Sequence, residues 1–550
     1  MGKIVNFKPN IDYYYSRGLN RFDNENYVEA IKCYREAYRI AEGTDAEFLP
    51  ILDEELACCY RALNLVPEAQ LMYYKAITCT NDDVVFDGVM GLVELFGAAG
   101  NDDALRYYMD VAAKRGYNHE FDYIDAARAY TSRHEYRAEP LPDERMLELG
   151  KRLLDAGQYP FAREILEGVP KDSASRGEAC AKLAVLYNVF GDYNRALDAA
   201  DEAVEKNGYS IETAVSMLIA YYKGGYTKDY EECLADLYAQ DVRNVNDLCQ
   251  IVRAFGITEN AEGVVKFGRK LFALSPMRTP SLCYALALSN SGQLREARKV
   301  LVDLQALYPY DAIVKAFAVL VSQATEKTDF SLSCDLPPAV AKELLQGLND
   351  VLDDAGGDKV RLKKALRDPA LYMSVLMIFQ AGSENSKRII AEAVADIPYF
   401  ETYIRNCLMD PSYPDTDKRL LLPVALRRFK HRPVWLTCRD VCRDLYGRAP
   451  QNCKKRWGEA YYTAYSTVAL FGCADFEDEF DAAFASLYGA LQTENDLDVP
   501  ALSALIAHRM RRIPALESDE CCIELFGADS KKYFAYKEKS RKTKAGNRHV

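Results

Sequence analysis

Four cysteines in the C-terminal half are the residues whose type and spacing come nearest to a chemical site. Cys438, Cys442, Cys453 and Cys473 lie within 36 residues of one another, and four thiolates can hold a structural zinc ion. Such sites use two closely spaced pairs, whereas only Cys438 and Cys442 are close here, at the spacing of one helical turn. The spacing therefore favours buried, reduced thiols, and we predict neither a bound metal nor any other cofactor.

The sequence lacks the short motifs of the common enzyme classes. It contains no GxxxxGK[ST] or strand-associated GxGxxG for nucleotides, no HExxH for zinc hydrolysis and no GxSxG nucleophile turn. The five histidines are scattered along the chain. We therefore predict a protein that is not an enzyme. A catalytic site somewhere in residues 339–550 remains an alternative, although no residue there is nominated for it.

Composition limits the class of protein further. The chain has 550 residues, of which 49% are hydrophobic and 27% charged, as in ordinary globular proteins. Its 38 tyrosines against 2 tryptophans suggest packed helices whose rings are buried and whose hydroxyls reach polar surroundings. A net charge of −13 disfavours nucleic-acid binding by the whole molecule. With no leader-like start and no long apolar run, we expect a cytoplasmic location and reduced cysteines.

A recurring spacing of small residues gives the organisation of the N-terminal half. Gly18 is followed after 12 residues by Ala30, after 4 more by Tyr34 and after 3 more by Ala37. The same spacing recurs in five further sets: Ala57, Ala69, Tyr73 and Ala76; Leu92, Ala104, Tyr108 and Val111; Gly150, Ala162, Leu166 and Val169; Ala184, Ala196, Ala200 and Ala203; Ala285, Ala297, Leu301 and Leu304. Counting two weaker positions, Cys233 and Gly263, the separations between second-helix positions cluster near 34 residues.

This spacing is typical of stacked helix pairs. A small residue in a first helix lets a second helix approach closely, and each pair leaves an apolar face that the next pair must cover. In segments such as NYVEAIKCYREA, DYNRALDAADEA and QLREARKVLVDL, residues 9–324 resemble the tetratricopeptide repeat family. The family's first-helix tryptophan is missing, and Tyr14 takes its place once. A step of 58 residues between Ala104 and Ala162 indicates a degenerate or inserted element around residues 116–142.

The residues after 324 follow a different sequence pattern. We predict a linker at residues 325–338, a helical segment at 339–430 that weakly resembles HEAT repeats in its Asp-Pro helix starts, and a mixed, mainly helical segment at 431–516. An apolar run at Val434, Trp435 and Leu436 suggests a small hairpin. The predicted fold class is therefore all-α: an α-solenoid of tetratricopeptide-type helix pairs followed by a C-terminal helical domain.

Protein binding is the function that the family resemblance implies. In such arrays the first helix of each pair lines a concave wall. The residues placed on that wall are Tyr15, Leu19, Phe22, Glu54, Arg61, Val89, Phe96, Lys151 and Asn188, with Cys58 beside them. The wall is apolar with mixed charge, so it does not indicate a clamp for a terminal carboxylate. We predict a non-catalytic cytoplasmic scaffold that binds a peptide or helix of a protein partner in this groove.

The end of the chain supports an alternative function. Residues 517–550 resemble the C-terminal helix-turn-helix of some bacterial helical proteins, with Gly527 at the turn between Ile523 and Tyr533. Residues 531–550 contain eight Lys or Arg and one Glu. The alternative is therefore a regulator that combines partner sensing by the repeats with nucleic-acid contact by the C-terminus. A final capping helix with a solvated basic tail is the favoured interpretation of this segment, and we expect at most weak DNA binding that is lost at physiological salt.

Overall fold

The computed structural model describes residues 9–99, 101–117, 143–155, 159–325, 358–429, 433–438, 440–445, 453–471, 476–494, 497–510 and 518–546, with a few positions between 328 and 356. Most of the predicted insertion and of the predicted linker lies outside the described residues. The described part of the chain is almost entirely helical and contains one two-stranded sheet. The predicted fold class, all-α with helix-pair repeats followed by a C-terminal helical region, is confirmed.

Successive helices occupy the repeat region. They are α1 (Ile11–Asp23), α2 (Tyr27–Thr44), α3 (Leu49–Ala62), α4 (Val66–Ala76), α5 (Asp82–Ala99), α6 (Asp102–Lys114), α7 (Asp143–Asp155), α8 (Tyr159–Glu167), α9 (Arg176–Phe190), α10 (Tyr193–Asn207), α11 (Ile211–Gly224), α12 (Thr227–Ala239), α13 (Val245–Ile257), α14 (Ala261–Leu274), α15 (Arg278–Asn290), α16 (Leu294–Leu307) and α17 (Ala312–Gln323). Their ends follow local chemistry. The Asp192 side chain accepts a hydrogen bond from the Arg195 amide and caps α10, and Gly191 ends α9 at a φ of 76°.

The predicted small residues lie where the helices cross. Ala30, Ala57, Ala69, Ala184 and Ala297 are fully buried. The crossing of α1 and α2 shows why size matters there, because a Cβ added to Gly18 would lie 2.4 Å from Cε1 of the buried Tyr34. The register of the helix pairs therefore agrees with the spacing in the sequence.

Three contacts of the repeat region join residues that are far apart in the chain. Helix α2 packs against α16, and Lys32 Nζ lies 2.7 Å from the nearly buried Asp303 carboxylate. The Tyr60 hydroxyl donates to the Leu307 carbonyl at 2.7 Å, and the Ser275 hydroxyl donates to the Asn64 carbonyl at 3.4 Å. The first helix pairs thus contact the last ones, whereas an open array would contact only neighbours in sequence.

The C-terminal region adds ten helices and one hairpin in its described part. They are α18 (Lys359–Ala365), α19 (Tyr372–Ala381), α20 (Glu384–Val394), α21 (Pro398–Met409), α22 (Asp415–Arg428), β1 (Trp435–Cys438), β2 (Val441–Asp444), α23 (Lys455–Phe471), α24 (Glu477–Leu491), α25 (Val499–His508), α26 (Asp519–Phe526) and α27 (Ser530–Gly546). The strands β1 and β2 pair antiparallel, with Trp435 opposite Asp444, so the predicted hairpin is present.

The described residues divide into two compact units. Unit 1 falls within Met1–Ala99, Val111–Tyr117 and Ile165–Ser386, and unit 2 within Gly100–Asp110, Asn118–Glu164 and Lys387–Val550. This division differs from the predicted boundary near residue 324, because residues 101–110 belong with the hairpin of unit 2. There the Tyr108 hydroxyl accepts a hydrogen bond from the Cys442 amide at 2.9 Å, and the Asn101 amide donates to the Asp440 carboxylate at 2.8 Å.

Candidate functional site

Three first helices of unit 1 share a partly exposed surface. The Tyr15 hydroxyl of α1 donates to Glu55 of α3 at 2.8 Å, and Arg61 of α3 forms an ion pair with Glu94 of α5. These contacts connect α1, α3 and α5 across one surface. We call this surface the first-helix face, made of Tyr15, Leu19, Phe22, Glu54, Glu55, Arg61, Asp87, Met90 and Glu94. Each of these side chains is half-buried or exposed.

The carboxylates of the first-helix face are crowded. Glu55 accepts hydrogen bonds from the hydroxyls of Tyr15, at 2.8 Å, and Tyr34, at 3.1 Å. Burial and these bonds to Glu55 raise the pKa of the Tyr15 hydroxyl. Partial burial, together with repulsion from Asp87 and Glu55, raises the pKa of Glu54 to about 7. The face therefore holds negative charge at a site that is partly shielded from water.

The outward residues of α5 differ from those expected. Val89 and Phe96 are 0% and 1% exposed, so they belong to the core and do not line a surface of the described structure. Helix α5 turns this apolar side towards α3 and α4, and Asp87, Met90 and Glu94 point outward instead. The sequence held a signal for this, because Asp87 and Glu94, the charged residues of α5 beyond its first turn, are seven residues apart and so lie on one side.

The apolar part of the face lies on α1. Leu19 and Phe22 are half-buried at the predicted positions, and the Phe22 ring makes an edge contact with Tyr27, with centroids 5.3 Å apart. This arrangement leaves part of both side chains accessible beside the carboxylates. Apolar side chains bordered by polar and charged groups are common at protein interfaces.

Two predicted residues lie elsewhere. The half-buried Asn188 of α9 donates to the Ser216 carbonyl of α11 at 2.9 Å, so one side of its amide joins neighbouring helix pairs. Lys151 lies on α7, which belongs to unit 2. The structure therefore groups Tyr15, Leu19, Phe22, Glu54 and Arg61 of the predicted set and separates the others from them.

A recurring polar arrangement in this chain combines a tyrosine hydroxyl, a carboxylate on another helix, and a cation. In each case the hydroxyl donates to the carboxylate at 2.6–2.7 Å while a Lys or Arg pairs with the same carboxylate. The four sets are Tyr187, Glu167 and Arg195; Tyr284, Glu296 and Arg269; Tyr465, Glu477 and Arg443; and Tyr533, Asp519 and Lys537. The cation offsets the charge of a carboxylate that is partly withdrawn from water.

Glu55 differs from these four carboxylates. It accepts from two tyrosines, yet no Lys or Arg of the described residues pairs with it, and the nearby Arg61 is paired with Glu94. Asp481 accepts a hydrogen bond from the Tyr461 hydroxyl and also has no ion-pair partner among the described residues. Its side chain, however, is exposed to water. The half-buried Glu55 lacks that solvation. Among the described residues, Glu55 therefore lacks the cation that accompanies the four other carboxylates.

The described residues contain no group of three or more His, Cys, Asp and Glu side chains that could hold a metal ion. Of the four cysteines considered for zinc, Cys442 is buried and Cys453 half-buried, and neither forms a disulfide. The side chain of Cys438 and the whole of Cys473 lie outside the described residues. No helix in the described ranges is both long and apolar enough to cross a membrane.

The chain matches solved structures but no family model. No protein-family model matches the chain, and no curated protein matches it. Among solved structures, the chain is similar to the crystal structure of yeast Tom70, with 13% sequence identity and a TM-score of 0.26, over 88% of this chain and 97% of that one. A superposition this loose says nothing about a site or a ligand.

The C-terminal helices α26 and α27 are joined at Gly527, whose φ is 60°. Tyr533, Tyr536 and Ser540 form a buried stripe on α27, which packs against α24 and α25. Lys537 and Lys539 pair with Asp519 and Glu494 of the same unit. This arrangement suits a packing helix. Contact of this segment with DNA stays a prediction.

Proposed function

We propose that this chain is a non-catalytic scaffold that binds a segment of a protein partner on the first-helix face. The observation that carries the proposal is Glu55, which accepts two tyrosine hydroxyls and has, among the described residues, none of the cations found in the four related sets. A Lys or Arg side chain from a partner would complete the same arrangement. The expected ligand is therefore a basic segment with apolar residues, extended or helical.

The raised pKa of Glu54 predicts how the affinity for a basic segment changes with pH. Because its pKa is about 7 in the free protein, Glu54 is partly protonated near neutral pH. A bound cation favours the ionised form, so binding of a basic segment should release protons and strengthen as the pH rises from 6 to 8. A face that binds only through apolar contacts would show no such trend.

Leu19, Phe22 and Met90 supply the apolar part of the proposed contact. Their partial exposure beside charged residues provides area that a partner can bury, at roughly 25 cal/mol for each Å². Replacing both Leu19 and Phe22 by Ala should weaken binding by about tenfold. Phe96 is unsuitable for this test, because it belongs to the core and its replacement would act on folding.

Binding of a defined peptide tests the proposal on the full chain. The probe is a fluorescein-labelled peptide of repeated Lys-Lys-Leu triplets, and fluorescence anisotropy reports its binding. Glu54→Gln with Asp87→Asn should weaken binding by about fivefold, as expected for two partly exposed charges. The matched control, Asp198→Asn with Glu205→Gln, removes two exposed carboxylates of α10 and should leave the affinity unchanged. Equal losses in both double variants would contradict the proposal, since they would show attraction to overall charge only.

The regulator function remains the alternative, and the cytoplasmic location remains a prediction. A DNA gel shift at physiological salt discriminates the regulator. Tight, sequence-dependent retention that requires residues 517–550 would favour it. Loss of all retention at that salt concentration is what we expect, because residues 1–530 carry the negative charge of the chain.

A further inference from the structure

We propose that a second surface of unit 1, a basic cleft at the last helix pairs, binds an acidic segment of a partner protein. The cleft has a volume of about 950 Å³ and lies between the end of α14, the start of α16 and the end of α17. Its charged lining residues are Arg269, Arg295, Glu296, Arg298 and Lys299. We call this surface the basic cleft.

The charge of the basic cleft is opposite to that of the chain. Four of its lining residues are basic and one is acidic, whereas the whole chain has a net charge of −13. An acidic ligand is repelled by most of this protein's surface. Attraction would therefore be concentrated at the cleft, which favours a localised binding site over diffuse adsorption.

Two of the four cations are already engaged. Arg269 pairs with Glu296 at 3.0 Å, and the Arg298 guanidinium donates to the carbonyls of Val321, at 3.1 Å, and Ala324. Arg298 thereby satisfies carbonyl groups at the end of α17, where no further helical amides are available. These two residues hold the walls of the cleft in place.

The other two cations are available to a ligand. Arg295 and Lys299 are exposed, and no carboxylate pairs with either one in the described structure. They are four residues apart on α16 and so project from the same side of the helix. The pair presents positive charge along one helical turn, which suits two carboxylates of a partner segment.

The floor of the basic cleft is apolar. Leu294 and Val300 are 8% and 3% exposed, and Phe272 is half-buried beside them. A floor of this kind can accept an aliphatic side chain while the rim binds the neighbouring carboxylates. The ligand chemistry that fits both parts is an acidic peptide with interspersed apolar residues.

Nucleic acid fits these observations less well. A duplex carries one phosphate charge for about every 1.7 Å of its axis, and binding requires several cations along that length. The basic cleft supplies two unpaired cations within one helical turn, and the acidic remainder of the chain would repel the rest of a long polyanion. An acidic protein segment needs only the local contact.

A peptide titration tests the proposal with the full chain. The probe is a fluorescein-labelled peptide of repeated Glu-Glu-Leu triplets, measured by fluorescence anisotropy at low and physiological salt. Arg295→Gln with Lys299→Gln should weaken binding by about fivefold. The control double variant Lys206→Gln with Lys228→Gln removes the same charge from exposed positions on α10 and α12 and should bind as the wild type does.

Three outcomes would overturn the proposal. The first is equal affinity in the wild type and the Arg295/Lys299 variant, provided that circular dichroism shows both to be folded. The second is equal binding of a Gln-Gln-Leu peptide, which would show that the carboxylates play no part. The third is tighter binding of an oligonucleotide than of the acidic peptide, with the same dependence on Arg295 and Lys299.

Discussion

A small-residue crossing in unit 1 and a cluster of rings in unit 2 show two ways of packing helices. At the crossings of unit 1 lie small residues, such as Gly18 against Tyr34 and the fully buried Ala200. In unit 2, by contrast, Trp457, Tyr461 and Phe484 form a cluster of large rings with centroids 5.0–5.8 Å apart. Crossings at small residues bring helix backbones close together, whereas ring clusters fill a wider space between helices.

The two units also differ in the polar groups that they can offer to a ligand. In unit 2 the tyrosine hydroxyls of Tyr465 and Tyr533 reach carboxylates that already have a cation. In unit 1 the same arrangement is complete at Glu167 and Glu296, whereas no described residue supplies the cation at Glu55. The same polar arrangement contributes to packing where it is complete, and the proposed function assigns it to recognition at Glu55.

Adding a charge at a small-residue crossing should have the largest effect. Ala196 is 1% exposed at the crossing of α9 and α10, so Ala196→Glu buries an unpaired carboxylate. We expect a loss of about 3–5 kcal/mol in the free energy of unfolding, measured by urea denaturation. Lys206→Glu, at an exposed position of the same helix, should change it by less than about 0.5 kcal/mol. Wild-type stability of Ala196→Glu would show that the assigned register is wrong.

The corresponding test in unit 2 removes the volume of a buried side chain. Trp457 is fully buried and makes edge contacts with Phe484 and Tyr488. Trp457→Ala should lower the free energy of unfolding by about 3 kcal/mol, through lost burial and the cavity left behind. Trp457→Phe, which keeps a ring, should recover more than half of that loss. Equal losses in both variants would mean that the ring cluster does not determine the packing of this region.

The contact between α2 and α16 should have a smaller effect. Lys32→Met would leave the carboxylate of Asp303, which is 7% exposed, without its partner at 2.7 Å. We expect a loss of about 1–3 kcal/mol in stability. In a double-mutant cycle, Asp303→Asn should recover part of it, with a coupling energy of about 1 kcal/mol. Lys228→Met, which breaks an exposed pair with Glu232, is the control. A coupling energy of zero would contradict the observed contact.

The smallest expected effect concerns Asp53 of α3. Burial raises the pKa of this carboxyl from 3.8 to about 6, so the folded state holds its proton more tightly than the unfolded state. Its contribution to stability therefore falls as the pH rises from about 4 to above 6. Asp53→Asn should remove this dependence and raise the melting temperature at pH 7.5 by about 2–4 °C, with little change at pH 4. A variant that is less stable than the wild type at pH 7.5 would show that the ionised carboxylate is stabilising.

Local spacing was sufficient to predict the helix pairs but not their distant contacts. The positions of Gly18, Ala30 and Ala196 follow from residues a few turns apart, and the structure agrees with them. The contact of Lys32 with Asp303 joins residues 271 positions apart, and no repeat spacing encodes it. The grouping of residues 101–110 with the hairpin of unit 2 depends on similarly distant contacts, such as that of Tyr108 with Cys442.

Local spacing also limits what could be predicted about the candidate site. Tyr15, Glu54 and Arg61 were chosen by their position relative to the small residues of α1 and α3, and all three are partly or fully exposed; their role in binding stays a prediction. Extending the same rule to α5 selected Val89 and Phe96, which are buried. The outward side of α5 depends on how that helix rotates against its neighbours, and only the pattern of its acidic residues indicated it.

Photo-crosslinking of the basic peptide to the full chain tests the central claim most directly. A Lys-Lys-Leu peptide with a benzophenone group is bound and irradiated, and the crosslinked residues are identified by mass spectrometry. Binding on the first-helix face predicts crosslinks in α1, α3 and α5, near Leu19, Phe22 and Met90, and a lower yield of them in the Glu54→Gln, Asp87→Asn variant at a subsaturating peptide concentration. Crosslinks confined to other helices, or unchanged yields in that variant, would contradict the claim.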